Sequence, residues 1–573
     1  KALGAGQVDI YGVTGPDPFG ETVKSILLKY GVSCSHIQTQ KQHWHTHVYH
    51  KFYRDSREEP RCDIGNFNIV SPETVESLLH DIESNASNYQ AIIINEQVLN
   101  GYHNRLFQKG LKGLIKKFDQ DCFWISDCRH LNHIYDHSIR KLNIHEAEDL
   151  FNQRNKGTGK VPEKKELTRW LGSFWEKPVI ITLGEEGAIG IDQEGRLQET
   201  PGISLIGPRD TVGAGDAFLA GLTLTMASGY PLKKALYLGN CAASVSVTKL
   251  FETGHPRVDE VLAMGSSPDF RYNPELAGDS RGAKYLKDSP VELTGIRATG
   301  NPRVIIFDHD GTISTLRQGW EPIMKDVVLR SILGDSLNLI SQSEMKSIST
   351  AAEDMIEKTT GVQTIIQMHH LQALVKSYSY IPEDEVLSPL EYKKIYNDKL
   401  IQMVSARIDL FRRGMLDLRD VTIKGAIPFI QFLRKAGITL YLASGTDQAD
   451  VRQEADTLGY ADLFNGGIFG SMGDVDCDPK KMVIERICRN LPEGTRPEEC
   501  YVFGDGPVEM REAAKRNFTR IGLVSDEKQR FGVNLDKRKR LILGGAQALI
   551  PDFSWASLLT DHLKWDLKDK GDQ

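Results

Sequence analysis

Two carboxylates with one residue between them follow the short apolar run Val304 to Phe307. Such a run predicts a buried parallel strand, which places Asp308 and Asp310 at its carboxyl end. Residues two apart on a strand point to the same side, so both carboxylates can serve one site. One can attack a phosphorus atom while the other handles the proton of the leaving group. The alternative is an acidic exit from a strand that carries no chemistry.

A second apolar run, at 439–443, leads into Ser444 and Gly445. A hydroxyl beside a free backbone N–H at the end of a strand can hold a phosphate oxygen. Farther along the chain, Lys480 can supply the positive charge that reduces repulsion between a carboxylate nucleophile and a phosphate. Lys481 stands next to it, so the choice between the two lysines stays open at this stage.

A third apolar run, at 501–503, leads into Asp505, and Glu509 follows four residues later. Carboxylate oxygens at a strand end suit Mg²⁺, which keeps several of its waters when it binds to protein. Asp505 is therefore the predicted ligand, and Glu509 is predicted to be a supplementary or supporting group.

In this order, the segments resemble the motifs of the haloacid dehalogenase (HAD) phosphatases, with a phosphoglycolate-phosphatase-like layout. The resemblance covers about 301–565. It implies that Asp308 is the nucleophile and that Asp310 is the general acid and base. The ligands that it implies for Mg²⁺ are Asp308, Asp310 and Asp505, and the residues that it implies for phosphate binding are Ser444, Gly445 and Lys480.

A different kind of phosphate chemistry is indicated in the first half, at the turn that opens an apolar helix. The small residues Gly213, Ala214 and Gly215 leave consecutive backbone N–H groups uncovered by side chains at a helix N-terminus. Such a group of N–H donors is an anion site. Asp216 follows directly and can take the proton from an attacking hydroxyl. The alternative is a glycine-rich turn that only packs a helix on a sheet.

The turn is similar to the signature of the ribokinase (PfkB) sugar-kinase family, whose other marks follow in order over about residues 1–262. The matching residues are Gly15, Asp17 and Gly20 for the early glycine signature, Asn143 and Glu146 for the NxxE motif, Thr182, Gly184 and Gly187 for the nucleotide loop, and Asn240 for the adenine-pocket helix. The resemblance implies ATP as phosphoryl donor and Mg²⁺ near the NxxE motif. Within the family, the adenine-pocket helix is most like that of heptose-7-phosphate kinases.

Family members start with a strand and a glycine-rich segment that contact the sugar. Here the chain begins at Lys1 in what reads as the end of a helix, and about two βαβ-scale pieces, roughly 60 residues, are expected to be missing. The identity of the sugar, and whether the kinase half is active, therefore stay open.

The predicted fold class is α/β, because short apolar runs alternate with helical patterns. A ribokinase-like α/β/α domain precedes a HAD-like Rossmann-type domain with a helical cap. The predicted domains are a kinase domain at 1–264, a linker at 265–300 and a phosphatase domain at 301–573, with the cap at about 315–418. Apolar positions three to four residues apart predict cap helices at 321–334, 343–357, 362–379 and 391–412.

Composition restricts the function classes further. The net charge of −7 offers no support for a nucleic-acid partner, and no apolar run approaches the length of a membrane span. Eight cysteines without CxxC spacing are typical of free thiols in a reducing compartment. The cytoplasm is the predicted location.

The combined prediction is a bifunctional enzyme that uses ATP and Mg²⁺ to act on small sugar phosphates. The kinase phosphorylates a sugar, for which heptose 7-phosphate is one candidate, and the phosphatase removes a phosphate. Two alternatives stay open. Either only the phosphatase is active, beside a kinase-like module for sensing or dimerisation, or the HAD half is a phosphotransferase or mutase. A homodimer is expected by resemblance alone.

Overall fold

The computed structural model describes residues 1–54, 57–155, 160–205, 209–250, 254–297, 300–359, 364–472 and 479–567. The chain forms two compact units, Lys1–Phe270 and Arg271–Gln573. Among the described residues, no helix has both the length and the apolar character that crossing a membrane requires.

The first unit contains twelve strands and eight helices within its described residues. The strands are β1 (Asp9–Thr14), β2 (Ser33–Thr39), β3 (Val48–His50), β4 (Tyr53–Arg54), β5 (Arg57–Glu58), β6 (Cys62–Ile64), β7 (Ala91–Glu96), β8 (Phe123–Cys128), β9 (Ile139–Asn143), β10 (Val179–Thr182), β11 (Gly187–Ile191) and β12 (Leu197–Pro201). The helices are α1 (Pro18–Lys29), α2 (Pro72–Asn85), α3 (Arg105–Lys117), α4 (Ile144–Arg154), α5 (Lys164–Trp175), α6 (Ala214–Ala227), α7 (Leu232–Val247) and α8 (Val258–Ser266).

Its main sheet has the order β12-β11-β10-β9-β8-β7. Strands β7 to β10 run parallel, and β11 and β12 are antiparallel. Successive residues of a strand face opposite sides, so Ile180 lies in one apolar cluster with Phe218 of α6 while Ile181 lies in another with Leu150 of α4. Helices thus cover both faces, which confirms the α/β/α arrangement predicted for this half.

The second unit is built on one larger sheet. Its strands are β13 (Lys284–Tyr285), β14 (Glu292–Leu293), β15 (Val304–Asp308), β16 (Thr439–Asp447), β17 (Gly467–Ser471), β18 (Cys500–Gly504), β19 (Thr519–Leu523) and β20 (Ala548–Ile550). Its helices are α9 (Pro274–Gly278), α10 (Trp320–Leu333), α11 (Gln342–Thr359), α12 (Thr364–Tyr378), α13 (Pro389–Arg412), α14 (Ala426–Lys435), α15 (Gln448–Thr457), α16 (Pro479–Arg489), α17 (Pro507–Lys515), α18 (Leu535–Leu543) and α19 (Ala556–His562).

The order of this sheet is β13-β14-β20-β19-β18-β15-β16-β17, and the last six of these strands run parallel. The interior strand β15 is buried along its whole length. Ile306 packs into an apolar cluster with Met510 of α17, and Phe307 packs into the opposite cluster with Phe429 of α14. A strand covered on both faces has to be apolar throughout, which is why Val304 to Phe307 contains no polar residue.

A separate group of helices, α10 to α13, lies between β15 and β16 in the chain and has an apolar core of its own. Met324 of α10, Met368 of α12 and Tyr392 of α13 are buried there. Farther along α13, Val404 and Ile408 instead pack into the core of the sheet domain. The long helix α13 therefore ties the helical cap to the sheet.

The stretch 265–300, predicted to be a linker without regular structure, instead carries α9, β13 and β14. Strand β14 pairs antiparallel with β20. Buried Glu292 accepts two hydrogen bonds of 2.7 Å from Arg538. The elements have only two to five residues each, too few to show a period in a sequence rich in Gly and Ser. They extend the sheet of the second unit at its edge.

Candidate active sites

Strand register brings the acidic residues of the second unit to one edge of its sheet. Asp308 pairs with Ala443 on β16, and Phe307 pairs with Phe503 on β18. Ser444, the next residue of β16, and Asp505, the residue after β18, therefore lie at nearly the same level as Asp308. The carboxyl edge of a parallel sheet is where α/β proteins bind ligands.

Asp308 lies at the centre of this edge and is 3% exposed. Lys480 Nζ lies 2.5 Å from its Oδ1 and 3.2 Å from Glu509 Oε2. Burial raises the pKa of Asp308 well above its ordinary value, Lys480 opposes the rise, and the Glu509 and Asp505 carboxylates add to it. Of the two lysines that the sequence left open, Lys480 is the one for which the structure places the ammonium group against Asp308.

Asp308, Asp505 and Glu509 offer oxygen atoms that all lie within 4.8 Å of one another. Lys537 Nζ adds a second ammonium group, 2.7 Å from Asp505 and 2.5 Å from Glu527. Four carboxyl groups thus face two ammonium groups. An oxygen-only ligand set in which carboxyl groups outnumber the ammonium groups fits Mg²⁺.

The side chain of Asp310 does not join these three carboxylates, although the family resemblance implied a metal ligand there. Its Oδ1 accepts a hydrogen bond of 2.9 Å from Arg317, and its Oδ2 accepts bonds from Thr446 at 3.1 Å and Ser444 at 3.4 Å. Burial favours a higher pKa for Asp310, but the Arg317 charge holds it far below its ordinary value. The carboxylate is directed toward the cap entry and the end of β16.

Ser444 is fully buried, and its Oγ accepts a hydrogen bond of 3.1 Å from the Thr446 backbone N–H. Gly445 between them is exposed, and a Cβ there would meet no atom within 4 Å. The backbone at Gly445 is therefore accessible beside Asp310, whereas the Ser444 hydroxyl predicted to bind phosphate is buried and already bonded to Asp310 and to the Thr446 N–H.

In the first unit, the Gly-Ala-Gly-Asp turn begins α6. Gly213 precedes the helix with φ of 77°, in the left-handed region, and no side chain caps the N-terminus. The first N–H groups of a helix have no intrahelical partner, so the one at Gly215 can be offered to an anion. The Ala214 N–H, also predicted to bind an anion, instead donates to the Thr211 carbonyl at 3.2 Å. Asp216 lies in the first turn and is exposed.

A buried ion pair lies close to this turn. Lys141 Nζ is 2.7 Å from Asp127 Oδ2, and the two side chains are 7% and 6% exposed. The same Nζ would lie 3.2 Å from a Cβ at position 215, which places it against Gly215. Burial raises the pKa of Asp127, and the neighbouring Asp216 carboxylate contributes to that rise. Lys141 therefore supplies positive charge between two acids.

Asn143 and Glu146, the NxxE match, form a capping box at the start of α4. Asn143 Oδ1 accepts from the Glu146 N–H at 2.9 Å, and Glu146 Oε2 accepts from the Asn143 N–H at 2.8 Å. Burial raises the pKa of Glu146, with a further contribution from Asp127. The pair thus caps a helix at the same sheet edge as Lys141.

Three of the residues predicted to bind the nucleotide lie on one connected stretch. Thr182 ends β10 opposite Asn143, Gly184 starts the turn that follows, and Gly187 begins β11. At Gly187, with φ of 100°, a Cβ would lie 2.1 Å from the Thr200 carbonyl oxygen. Asn240 on α7 donates to the Pro201 carbonyl at 2.7 Å, and Gly202 N–H donates to the Glu186 carbonyl at 2.9 Å in the same turn.

Comparison with family models assigns both halves. Residues 1–253 match the model of the pfkB family carbohydrate kinases, and residues 302–516 match the model of the haloacid dehalogenase-like hydrolases. The chain joins a pfkB-type kinase domain to a HAD-like hydrolase domain. This confirms the two resemblances drawn from the sequence.

Two curated relatives are similar to part of this chain at low identity. The bifunctional protein HldE of Aliarcobacter butzleri is 22% identical over 269 residues, which are 45% of this chain and 53% of that protein. An ATP-dependent 6-phosphofructokinase of Thermoanaerobacterium thermosaccharolyticum is 29% identical over 205 residues, 34% of this chain and 51% of that protein. The chain spans about half the length of these two relatives.

Among solved structures, a ribokinase from Thermotoga maritima has a TM-score of 0.37 at 17% identity, covering 45% of this chain and 81% of its own. Phosphofructokinase-2 from Escherichia coli has a TM-score of 0.38 at 18% identity, covering 46% and 83%.

Sequence patterns did not single out several residues that the two domains bring to these edges. In the kinase domain, one feature of the sequence could have indicated Lys141 and Asp127. Charged residues rarely occur in an apolar parallel strand unless they are paired. In the hydrolase domain, Thr446 follows the predicted Ser444 directly. The other residues missed there are Arg317, Glu454 and Lys537.

Replacing Gly311 in the hydrolase domain is expected to weaken the predicted Mg²⁺ site. Gly311 has φ of 72°, and a Cβ there would lie 2.2 Å from Asp505 Oδ2. Gly311→Ala should therefore displace Asp505 and raise the Mg²⁺ concentration for half-maximal phosphate release by about tenfold or more. Mn²⁺ binding, followed by the electron paramagnetic resonance of the free ion, provides a readout that does not depend on activity.

Gly414 provides a matched control for that substitution. Its φ of 71° imposes the same backbone strain on alanine, but a Cβ there meets no atom within 4 Å. Gly414→Ala should leave the Mg²⁺ requirement unchanged. Equal metal affinities for the two variants would show that Asp505 does not depend on Gly311.

Proposed function

We propose that the chain is a bifunctional sugar-phosphate enzyme, an ATP-dependent sugar kinase fused to a Mg²⁺-dependent phosphatase. The proposal is carried by the contact of Lys480 with Asp308 beside Asp505 and Glu509. A carboxylate with one lysine and a cluster of oxygen ligands suits nucleophilic attack on a phosphate monoester. The kinase and hydrolase families, and the sugar phosphate in the phosphofructokinase relative's name, support this substrate class.

In the hydrolase domain, an Asp308 oxygen attacks phosphorus and the bond from phosphorus to the sugar oxygen breaks. Asp310 gives its proton to that oxygen. The arriving phosphate is anionic and favours the protonated form of a neighbouring carboxyl, which prepares Asp310 to donate. Water then attacks the aspartyl-phosphate and loses a proton to Asp310, which releases phosphate and restores Asp308.

Lys480 reduces the repulsion between Asp308 and the phosphate in both steps. Ser444 and Gly445 bind phosphate oxygens at the end of β16. Asp308, Asp505 and Glu509 would hold Mg²⁺, which when bound balances the charge of the phosphate.

In the kinase domain, Asp216 takes the proton from the sugar hydroxyl. That oxygen bonds to the γ-phosphorus of ATP, the bond to the bridging oxygen breaks, and ADP leaves. The N–H groups at Gly213 and Gly215 then meet the charge on the transferred phosphoryl group.

Further parts of the proposal rest on resemblance. Thr182, Gly184, Gly187 and Asn240 bind ATP, and Asn143 with Glu146 assists phosphate placement. Heptose 7-phosphate is one candidate sugar. We include a cytoplasmic location and a homodimer in the proposal, and the boundaries at 264 and 301 stay predictions.

A second candidate function has one observation in its favour. Asn143 and Glu146 are already satisfied by capping α4, which suits a kinase-like module that senses or dimerises while only the phosphatase acts. The Asp216 variant considered below distinguishes the two.

The aspartyl-phosphate can be trapped directly. Acid quenching during turnover of a sugar phosphate, followed by borohydride reduction and peptide mass analysis, should show a reduced residue at position 308 and at no other aspartate. Reduction at another residue, or none during steady turnover, would contradict the mechanism.

A further inference from the structure

Arg317 makes a two-point contact with a buried carboxylate behind the phosphatase site. Its Nη1 and Nη2 donate to the two oxygens of Glu454, each at 2.7 Å, and Nη1 also donates to Asp310 Oδ1 at 2.9 Å. Arg317 is 14% exposed at the side chain and Glu454 is 5% exposed. A planar guanidinium held at two points by one carboxylate has little freedom to rotate. The atom that reaches Asp310 is therefore fixed in space.

Glu454 belongs to the sheet domain, on α15, whereas Arg317 lies on the segment that enters the cap. Two backbone hydrogen bonds of 2.9 Å pair this segment with the returning one, from Thr315 N–H to Val421 O and from Ile423 N–H to Ile313 O. The two segments that connect the cap to the sheet domain are thus hydrogen-bonded to each other.

A cap residue also contacts the first of these connecting segments. Arg407 on α13 donates to the Leu316 carbonyl at 2.6 Å. Burial raises the pKa of Tyr396, on the same helix, and the Arg317 charge opposes that rise. The cap therefore contacts the segment that carries Arg317 and lies within its electrostatic reach.

On the other side of Asp310, Thr446 and Ser444 hydroxyls donate to Oδ2. The contact of Arg317 with Glu454, taken by itself, is what a buried ion pair with only a structural role would show. Its third contact is to Asp310 Oδ1, the oxygen that the two hydroxyls do not reach and that also lies 3.4 Å from His309 Nδ1. This contact distinguishes Arg317 from a pair that is complete with Glu454.

We propose that Arg317 is a positioning residue, which with Glu454 holds the Asp310 carboxyl where it can protonate the leaving oxygen. The inference rests on the proposed phosphatase function. Because Arg317 belongs to the segment that enters the cap, the placement of the acid follows the position of that segment.

Two substrates with different leaving groups distinguish a positioning role of Arg317 from a purely structural one. Nitrophenolate leaves phosphorus without a proton, whereas an alkyl oxygen needs one. In Arg317→Gln, aspartyl-phosphate formation from glycerol 2-phosphate should slow by about 10- to 100-fold in single-turnover measurements. The burst of nitrophenolate from p-nitrophenyl phosphate should stay within about threefold of the wild-type rate, because attack by Asp308 does not need Asp310.

Three further variants complete the experiment. Arg330→Gln removes an exposed pair with Asp326 on α10 and should change neither rate. Arg317→Lys keeps a cation but loses the two-point contact, and should recover part of the glycerol 2-phosphate rate. Glu454→Gln leaves Arg317 in place with a weaker anchor, and should show the same substrate-dependent loss to a smaller degree.

Each outcome decides between the roles. Equal slowing with both substrates would mean that Arg317 only stabilises the fold, and no slowing with either would mean that Asp310 is held without it. Both results overturn the inference while the phosphatase function stands. A wild-type chain that releases neither nitrophenolate nor phosphate contradicts the proposed function itself.

Discussion

Asp308→Asn is expected to lower phosphate release from sugar phosphates by about 10⁴-fold or more. The amide has nearly the same shape but cannot attack phosphorus, and it removes one negative charge from the group around Lys480. ATP-dependent phosphorylation should stay within about twofold of wild type, because the kinase domain lies in the other compact unit. Colorimetric phosphate release and coupled ADP formation measure the two activities in one preparation.

Asp456→Asn is the control for that variant. Asp456 lies on α15 of the same domain, 55% exposed and 3.9 Å from Arg452, so the same change of Asp to Asn there should alter neither activity. If Asp308→Asn retained more than about a tenth of the phosphatase rate, Asp308 would not be the nucleophile.

Asp216→Asn is expected to lower ATP-dependent phosphorylation by about 10²- to 10⁴-fold, since the attacking hydroxyl loses its base. Asp216 is exposed in the first turn of α6, so folding and phosphatase activity should not change. ATP should still bind with an affinity within about threefold of wild type, as measured by calorimetry. This combination separates a loss of chemistry from a loss of binding.

The matched control is Asp259→Asn on α8, where the carboxylate is 70% exposed and pairs with Arg257. It should leave phosphorylation unchanged. If the wild-type chain transfers no phosphate from ATP to any sugar and Asp216→Asn behaves identically, the kinase half is a sensing or dimerising module, and only the phosphatase proposal stands.

Much of the hydrolase fold could be predicted because its signals are local. The apolar run ending in Asp308 marks an interior strand, and the apolar spacing in the cap reflects helices that bury one side. The structure gives Trp320–Leu333, Gln342–Thr359, Thr364–Tyr378 and Pro389–Arg412, each end within two residues of the predicted cap helices.

What could not be predicted depends on contacts between distant parts of the chain. Arg317 and Glu454 are 137 residues apart, and neither stands in a motif that indicates the other. The choice of Lys480 over Lys481 depends on where α16 begins relative to Asp308. The elements of 265–300 depend on contacts with distant residues, such as the pairing of β14 with β20, which no local pattern reveals.

In the kinase half, the motif residues could be found but not their contacts. The NxxE spacing is the same whether Asn143 and Glu146 bind a ligand or cap α4, because both uses need an oxygen three residues from a carboxylate. Lys141 became visible only when the register of β8 and β9 placed it beside Asp127.

The most direct test of the central claim is ³¹P NMR of the purified chain with Mg²⁺ and a panel of hexose and heptose phosphates, with and without ATP. The account predicts free phosphate from at least one sugar phosphate without ATP, through Asp308. With ATP it predicts ADP together with a new sugar-phosphate resonance, through Asp216. If no sugar-phosphate resonance changes under either condition, the chain is not the bifunctional enzyme proposed here.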